Sequence, residues 1–429
     1  MSVTSDQKPL DLTIIAPNGG FRYGHRVAGL REQIAKTAEP TKDKDGKETT
    51  PDPVEAFLVT YLENIHYLTG FSGSNALLVV TADRAIFITD GRYGLQSASE
   101  VPGFERVVLA PGTDMGEATA ELVGRLGLRR VGYEKAHLTV AAFDGMKSHL
   151  PETVALIGKT NLVETQRRIK DADEIAAIRN AVVIADSCFE FIRRTAKVGM
   201  TERELAWQME VFMRHTHGAE KLSFDSIVGS GPNSALIHGR PSDRKLGESG
   251  GPEFLLCDFG AQLNGYCSDL TRTFVIGGQP TDRMRKLYDD VHESLSLALA
   301  AIKPGVPGKD VDTIARDSLT KAGLGETFAH GLGHGLGRVV HDGPGLSQKA
   351  DIVLTPGMVV TVEPGAYLED FGGVRIEDDV LVTETGCEIL TKSTKELLII
   401  GWEFDSGRVH TSELAPQPFL QFTHLSGCG

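Results

Sequence analysis

Hydrophobic and polar positions alternate along this chain in two different rhythms. Between Ala56 and Asp90 the runs AFLVTY, NALLVV and RAIFITD are almost continuously apolar and rich in β-branched residues, with the glycine-rich GFSGSN between the first two. Such runs predict buried β-strands. Helical spacing follows in ATAELVGRLG and again in the residues before Leu150, giving an α/β block. Near residue 160 the register changes. LVETQRRIKDADEIAAIRNAVVIADSCFEFIRRTA keeps apolar residues at helical spacing over several turns, with Asp173 and Glu174 near its start. We place the domain boundary just before it, so that residues 1–160 form a smaller N-terminal α/β domain and residues 161–400 a second domain. In the second domain, the helical stretches MTERELAWQMEVFMRHT and TDRMRKLYDDVHESLSLALAAI interleave with strand pairs up to residue 400. That mixture predicts an α+β fold, helices packed on a curved antiparallel sheet. Residues 41–50, TKDKDGKETT, read as an exposed loop, and residues 401–429 as a tail without period or assignable role.

One stretch breaks the pattern. LLCDFGAQLNGYCSDLTRTF, residues 255–274, places Asp258 and Asp269 inside two otherwise apolar strands, where an unpartnered carboxylate is costly. Asn264-Gly265 is a strong hairpin signal, because both residues accept the positive φ of a type I′ turn. A two-residue loop there pairs Leu263 with Tyr266 and, counting back, Asp258 with Thr271. Asp269 then lies on the same face as Asp258 and diagonal to it, within reach of a shared ligand. Two anions so placed need a cation or a proton between them.

Further donors lie downstream. Glu363 in MVVTVEPG and Glu377 in GGVRIEDDV flank DFGG, and a hairpin turning near residue 370 sets them opposite each other. His334 lies in HGLGHGLG, whose glycines make a helix poor, so this is not the helical histidine pair of a zincin. Four carboxylates and an imidazole suit Mn²⁺ or another divalent first-row ion, and two ions are compatible with the set. Each residue alone has an ordinary explanation: an edge or turn aspartate, a hydrogen-bonded core histidine. Five candidates in two hairpins and a glycine-rich segment form a pattern that those explanations do not cover.

Composition narrows the partners. The 429 residues are 41% hydrophobic and 24% charged, with a formal net charge of -14, which disfavours nucleic acid and anionic membrane as partners. No apolar run is long enough for a membrane span and the N-terminus lacks a secretory signal pattern, so the expected location is cytoplasmic. Five scattered cysteines without CxxC pairs argue against a disulfide framework or a thiolate zinc site.

Taken in order, CDFGAQLNGYCSDLTRTF, HGLGHGLG, TVEPG and VRIED resemble the dinuclear-metal peptidases of the pita-bread fold, the group of methionine aminopeptidase, aminopeptidase P and prolidase. NIHYLTGFSGSNALLVVT and ITDGRYGLQSASEV resemble the creatinase-like N-terminal domain of the aminopeptidase P and prolidase branch. The resemblance implies that Asp258 chelates one ion, that His334 and Glu363 hold the other, and that Asp269 and Glu377 bridge. It makes Glu363 the acid/base, and His238 and His341 the histidines that line the substrate site. His330 is a further substrate-site candidate, and Arg375 is expected to hold a bridging carboxylate by an ion pair. Creatinase keeps this fold without metals and some histone-chaperone domains keep it without catalysis, so a non-catalytic peptide-binding role is the alternative from another class.

The branch implies cleavage of the bond before proline by a metal-bridging hydroxide, with two divalent ions, Mn²⁺ first and Co²⁺ or Zn²⁺ otherwise. Proline lacks an amide hydrogen and fixes φ, so its peptides need a dedicated site. The expected activity is that of an Xaa-Pro aminopeptidase, with Xaa-Pro dipeptidase as the alternative. A dipeptidase needs an arginine for the proline carboxylate; between His341 and Glu363 only Lys349 is basic, although Arg240 and Arg244 in HGRPSDR remain available. The branch also implies a homodimer or higher homo-oligomer.

Overall fold

The computed structural model describes residues 12–39, 46–48 and 53–401. Its N-terminal part is built on six strands, β1 Ala56–Val59, β2 Ala76–Thr81, β3 Ala85–Asp90, β4 Glu105–Leu109, β5 Arg130–Glu134 and β6 Ala155–Lys159, in the order β4-β3-β2-β1-β5-β6. The three central strands form an antiparallel meander, and β4, β5 and β6 attach parallel to their neighbours. Helices α1 Gly24–Lys36, α2 Leu62–Thr69, α3 Gly94–Glu100, α4 Met115–Arg125 and α5 Val140–His149 accompany the sheet. Successive residues of β1 enter different apolar cores: Phe57 and Val59 pack with Val27, Leu30 and Leu68, whereas Ala56 and Leu58 pack with Ile86, Leu122 and Val123. Both faces are covered, which is why these strands read as unbroken apolar runs rather than alternating ones.

The long helical stretch after residue 160 is two helices rather than one, α6 Leu162–Arg167 and α7 Ala172–Thr195. The break comes from Asp171, whose side chain accepts from the Glu174 backbone while the Glu174 side chain caps Asp171 in return. That reciprocal box restarts a helix. It is written in the sequence as DADE and is masked there by continuous apolar spacing on both sides.

In the second domain α8 Glu202–Val211 runs into a π-helical turn over Phe212–Thr216, and α9 Asp282–Ala301 packs on α10 Gly308–Lys321. Helix α10 is absent from the sequence expectation, although Val311, Ala315 and Leu319 recur every fourth residue and are buried. The strands are β7 Lys221–Leu222, β8 Ile227–Ser230, β9 Glu253–Phe259, β10 Ala261–Leu263, β11 Tyr266–Cys267, β12 Leu270–Ile276, β13 Val359–Val362, β14 Gly365–Leu368, β15 Gly372–Arg375, β16 Asp378–Val382, β17 Cys387–Ile389 and β18 Ile399–Ile400. They form short sheets, β18-β12-β9-β8, β13-β16-β17, β11-β10-β7 and β14-β15. All of their pairings are antiparallel except β12 with β18. One hairpin passes from the first sheet to the third at Gly260, where an added Cβ would stand 2.0 Å from the Ser268 carbonyl oxygen. Of residues 41–50 only 46–48 are described, and they are exposed; the rest of that loop and the tail beyond Gly401 lie outside the described residues. Among the described residues no helix is long and apolar enough to cross a membrane.

Candidate active site

The first hairpin closes on Asn264 and Gly265, whose φ angles are +51° and +74°. Leu263 pairs with Tyr266 and Asp258 with Thr271, the register counted from the sequence. Asp269 lies just before β12, and its backbone N–H donates to Asp379 Oδ2 at 3.0 Å. The second hairpin keeps a single register through two sheets, Val362 with Asp378 and Gly365 with Arg375. Glu363 and Glu377 occupy the interruption between those pairs, across from each other.

His334 arrives on an extended glycine-rich segment that lies along β13: Gly335 bridges Val360, and the Thr361 N–H donates to the His334 carbonyl. Glycine is required by the close approach, since a Cβ on Gly333 would meet the Thr361 carbonyl oxygen at 2.1 Å. The His334 Nδ1 faces the Gly335 carbonyl at 3.2 Å. A carbonyl only accepts, so Nδ1 carries the hydrogen and the Nε2 lone pair points into the site. There it meets Asp269 Oδ2 and Glu363 Oε1, each 3.5 Å away. The imidazole lone pair and two carboxyl oxygens thus face one another.

All nine sequence-derived residues, Asp258, Asp269, His334, Glu363, Glu377, His238, His330, His341 and Arg375, line one cavity of about 490 Å³. Asp269, His334 and Glu377 offer ligand atoms within 4.8 Å of one another. Asp258 Oδ1, Asp269 Oδ1 and Glu377 Oε1 are buried without a hydrogen-bond partner. Burial, reinforced by Glu377, Asp258, Asp379 and Glu363, pushes the Asp269 carboxyl well above the usual range, and burial with Glu363 and Asp258 does the same to Glu377. Burial together with Asp258 lifts Glu363 to about 8. In the opposite sense, burial and the neighbouring His341 lower His334 to about 4, which keeps its imidazole neutral and available as a ligand. Four carboxylates against a single buried guanidinium leave a deficit of positive charge, and the orphaned oxygens with the inward Nε2 form a donor set for hard divalent ions. The residues fit the ions that the resemblance implies.

The comparisons with known proteins agree with this geometry. Residues 176–384 match metallopeptidase family M24, and residues 50–169 match the creatinase/prolidase N-terminal domain. The chain belongs to metallopeptidase family M24. It is 42% identical to the Bacillus subtilis peptidase YqhT over 347 residues, 81% of this chain and 96% of the relative. A solved structure titled Xaa-Pro dipeptidase from Bacillus anthracis superposes with a TM-score of 0.81 at 37% identity, covering 88% of this chain and 100% of that one. An X-Pro aminopeptidase from Thermotoga maritima gives 0.75 at 37% identity, with 81% and 98% covered.

In this M24 peptidase the histidines divide into two kinds. His341 is exposed on the cavity wall, with its ring edge-on to His334 at 4.2 Å between centroids, and His238 is likewise exposed. His330 is committed: Nδ1 faces the Gly331 carbonyl and Nε2 meets the Tyr367 hydroxyl, both at 2.8 Å, while burial and Arg375 lower it to about 4. Arg375 differs from its expected role. Its guanidinium pairs with Asp258, the expected chelating carboxylate, rather than with Glu377, because the Nε is turned toward Thr271 at 3.1 Å and Nη1 toward Tyr367 at 2.7 Å. Glu377 is held by Thr271 Oγ1 at 2.6 Å and Glu363 by Thr361 Oγ1 at 3.2 Å. Sequence reading passed over Thr271, Thr361 and Tyr367. The two threonines carry a signal, standing two residues from Asp269 and from Glu363 and so on the same strand face.

Proposed function

We propose that this M24 peptidase removes the N-terminal residue from peptides with proline in second position, the activity of an Xaa-Pro aminopeptidase. The observation that carries the reading is the convergence of four carboxylates, an inward imidazole and two exposed histidines on one cavity large enough for several residues. Asp258, Asp269, His334, Glu363 and Glu377 would hold two divalent ions, with Mn²⁺ the first candidate from the ligand chemistry. Bound there, such ions supply Lewis acidity for a peptide carbonyl and make deprotonation of water favourable near neutrality. Glu363, buried and able to carry a proton near neutral pH, serves as acid/base at its carboxyl oxygens. His238 and His341, at the wetter wall, are placed to hold the proton that the departing proline nitrogen needs. Arg375 keeps Asp258 oriented through their ion pair.

A second reading, Xaa-Pro dipeptidase, is favoured by Arg240. Arg244 is tied to Glu253 at 2.9 Å and to the Ser230 carbonyl at 3.1 Å. Arg240 instead lines the cavity and is exposed, a guanidinium available to a free carboxylate. Hydrolysis of Xaa-Pro dipeptides and Xaa-Pro-Xaa tripeptides, measured for the unaltered protein and Arg240→Ala, separates the two. The aminopeptidase reading expects tripeptide cleavage at least equal to dipeptide cleavage and little change in Arg240→Ala. Strict dipeptide preference, with KM for dipeptides raised about tenfold in the variant, would establish the dipeptidase instead.

A further inference from the structure

The loop that carries His341 is anchored from the other domain. Within the loop, the Asp342 N–H donates to the Gly335 carbonyl at 2.8 Å, and Asp342 Oδ2 accepts from the Arg338 N–H at 3.0 Å. The remaining carboxylate oxygen faces Arg167 Nη2 at 2.8 Å, and both residues are buried. Arg167 closes α6. Its Nη1 donates at 2.7 Å to Oδ1 of Asn64, a fully buried amide on α2. The Asn64 amide nitrogen donates in turn to Glu134 at 2.6 Å and Glu164 at 2.7 Å, and Glu134, at the end of β5, accepts from the Thr60 and Tyr61 N–H groups at 2.6 Å each. A second link joins the same elements, Arg338 Nε to Glu63 Oε2 at 3.2 Å.

We propose that the N-terminal domain is a working part of the peptidase site: Asn64, Arg167 and Asp342 are positioning residues that set the place of the His341 imidazole. The proposal rests on the reading of His341 as a substrate-facing residue. Two observations make the network more than cement between domains. Asp342 adjoins His341 directly, and the loop has no slack: a Cβ on Gly335 would lie 1.9 Å from the Gly343 carbonyl oxygen, and one on Gly337 would lie 2.2 Å from Asp342 Oδ2. A shift of Asp342 is therefore passed to its neighbour rather than absorbed, and the His341 ring stands edge-on to the His334 ring at 4.2 Å, where such a shift is felt at the site. Asn64, Arg167 and Asp342 are each buried, so loss of one leaves a charge or amide unpaired and the loop free to resettle.

Asp342→Asn is isosteric and removes the charge; Arg167→Lys keeps a charge and removes the fork that reaches both Asn64 and Asp342. Both are measured alone and combined with His341→Phe, on an Xaa-Pro-Xaa peptide. Expected is a 10–100-fold loss of kcat/KM from Asp342→Asn in the native background, and a further loss of no more than about twofold when His341 is already Phe. Equal losses in both backgrounds would show a structural role only and overturn the proposal. A readout independent of substrate is the histidine ring NMR spectrum of the metal-free protein, with the His341 signal assigned by its disappearance in His341→Phe. That signal shifts or broadens in Asp342→Asn and Arg167→Lys if the network positions the ring; an unchanged signal would refute the proposal even if Xaa-Pro peptides prove not to be substrates.

Discussion

Glu377 and Asp378 are consecutive, both buried, and electrostatically opposite. Asp378 meets Arg272 at 2.9 Å, Lys395 at 2.9 Å and Thr391 Oγ1 at 2.8 Å, and these cations hold its carboxyl below the usual range despite burial. Glu377, one residue earlier, has a threonine and an orphaned oxygen, and its carboxyl is driven well up. The chain thus solves the same problem, an acid in an apolar sheet, in two ways. In this pair the acid with a countercharge from the protein is tied into the fold, and the acid without one lines the cavity. Burial alone does not separate the two cases, since both residues are almost completely enclosed.

The comparison breaks most sharply at Asp269. Asp269→Asn removes one anion from the undercompensated group, and we expect activity to fall by roughly four orders of magnitude while circular dichroism and thermal stability stay near those of the native protein. Asp378→Asn should do the reverse. It strands Arg272 and Lys395, so denaturant unfolding should show a loss of about 3–5 kcal/mol, while the folded fraction still binds metal. Thr271→Val removes the support of Glu377 and the acceptor of the Arg375 Nε, and divalent-ion affinity should fall about 10–100-fold by isothermal titration. Equal behaviour of Asp269→Asn and Asp378→Asn would erase the distinction.

How far the chain could be read in advance follows the same division between local and distant causes. The register around Asp258 and Asp269 was legible because Asn264-Gly265 admits one short turn, and a side-chain period of two then places every residue up to Thr271. The start of α7 was not, because its capping box lies inside a stretch whose apolar spacing never falters. Helix α10 was missed for a related reason: its polar face, with Lys309, Asp310, Asp317 and Lys321, outweighs a narrow stripe of three buried apolar residues, Val311, Ala315 and Leu319. The partner of Arg375 depends on Thr271 and Tyr367, from two different sheets, and no spacing rule reaches that far.

A separate effect is in pH. Without ions, Glu363 keeps a proton in the folded state that the unfolded chain has lost, so stability falls as pH rises from about 4.5 toward 8, and Asp269 and Glu377 are raised in the same sense. His330 and His334, lowered to about 4 from 6.5, act oppositely, because the unfolded chain binds the extra protons; they add stability as pH rises between those values. The carboxyls are therefore seen alone between about 6.5 and 8, where the metal-free protein should lose up to about 1.4 kcal/mol per pH unit for each titrating group. Thermal melts over that range should show the decline without ions and its abolition with Mn²⁺.

The central claim is that the sequence pattern builds an ion cage and leaves its charge for metal. Equilibrium dialysis against Mn²⁺ followed by elemental analysis tests it most directly. Close to two ions per native chain are expected, with two retained by Asp378→Asn and less than one by Asp269→Asn. A native chain that retains none, or an Asp269→Asn variant that retains both, would contradict it.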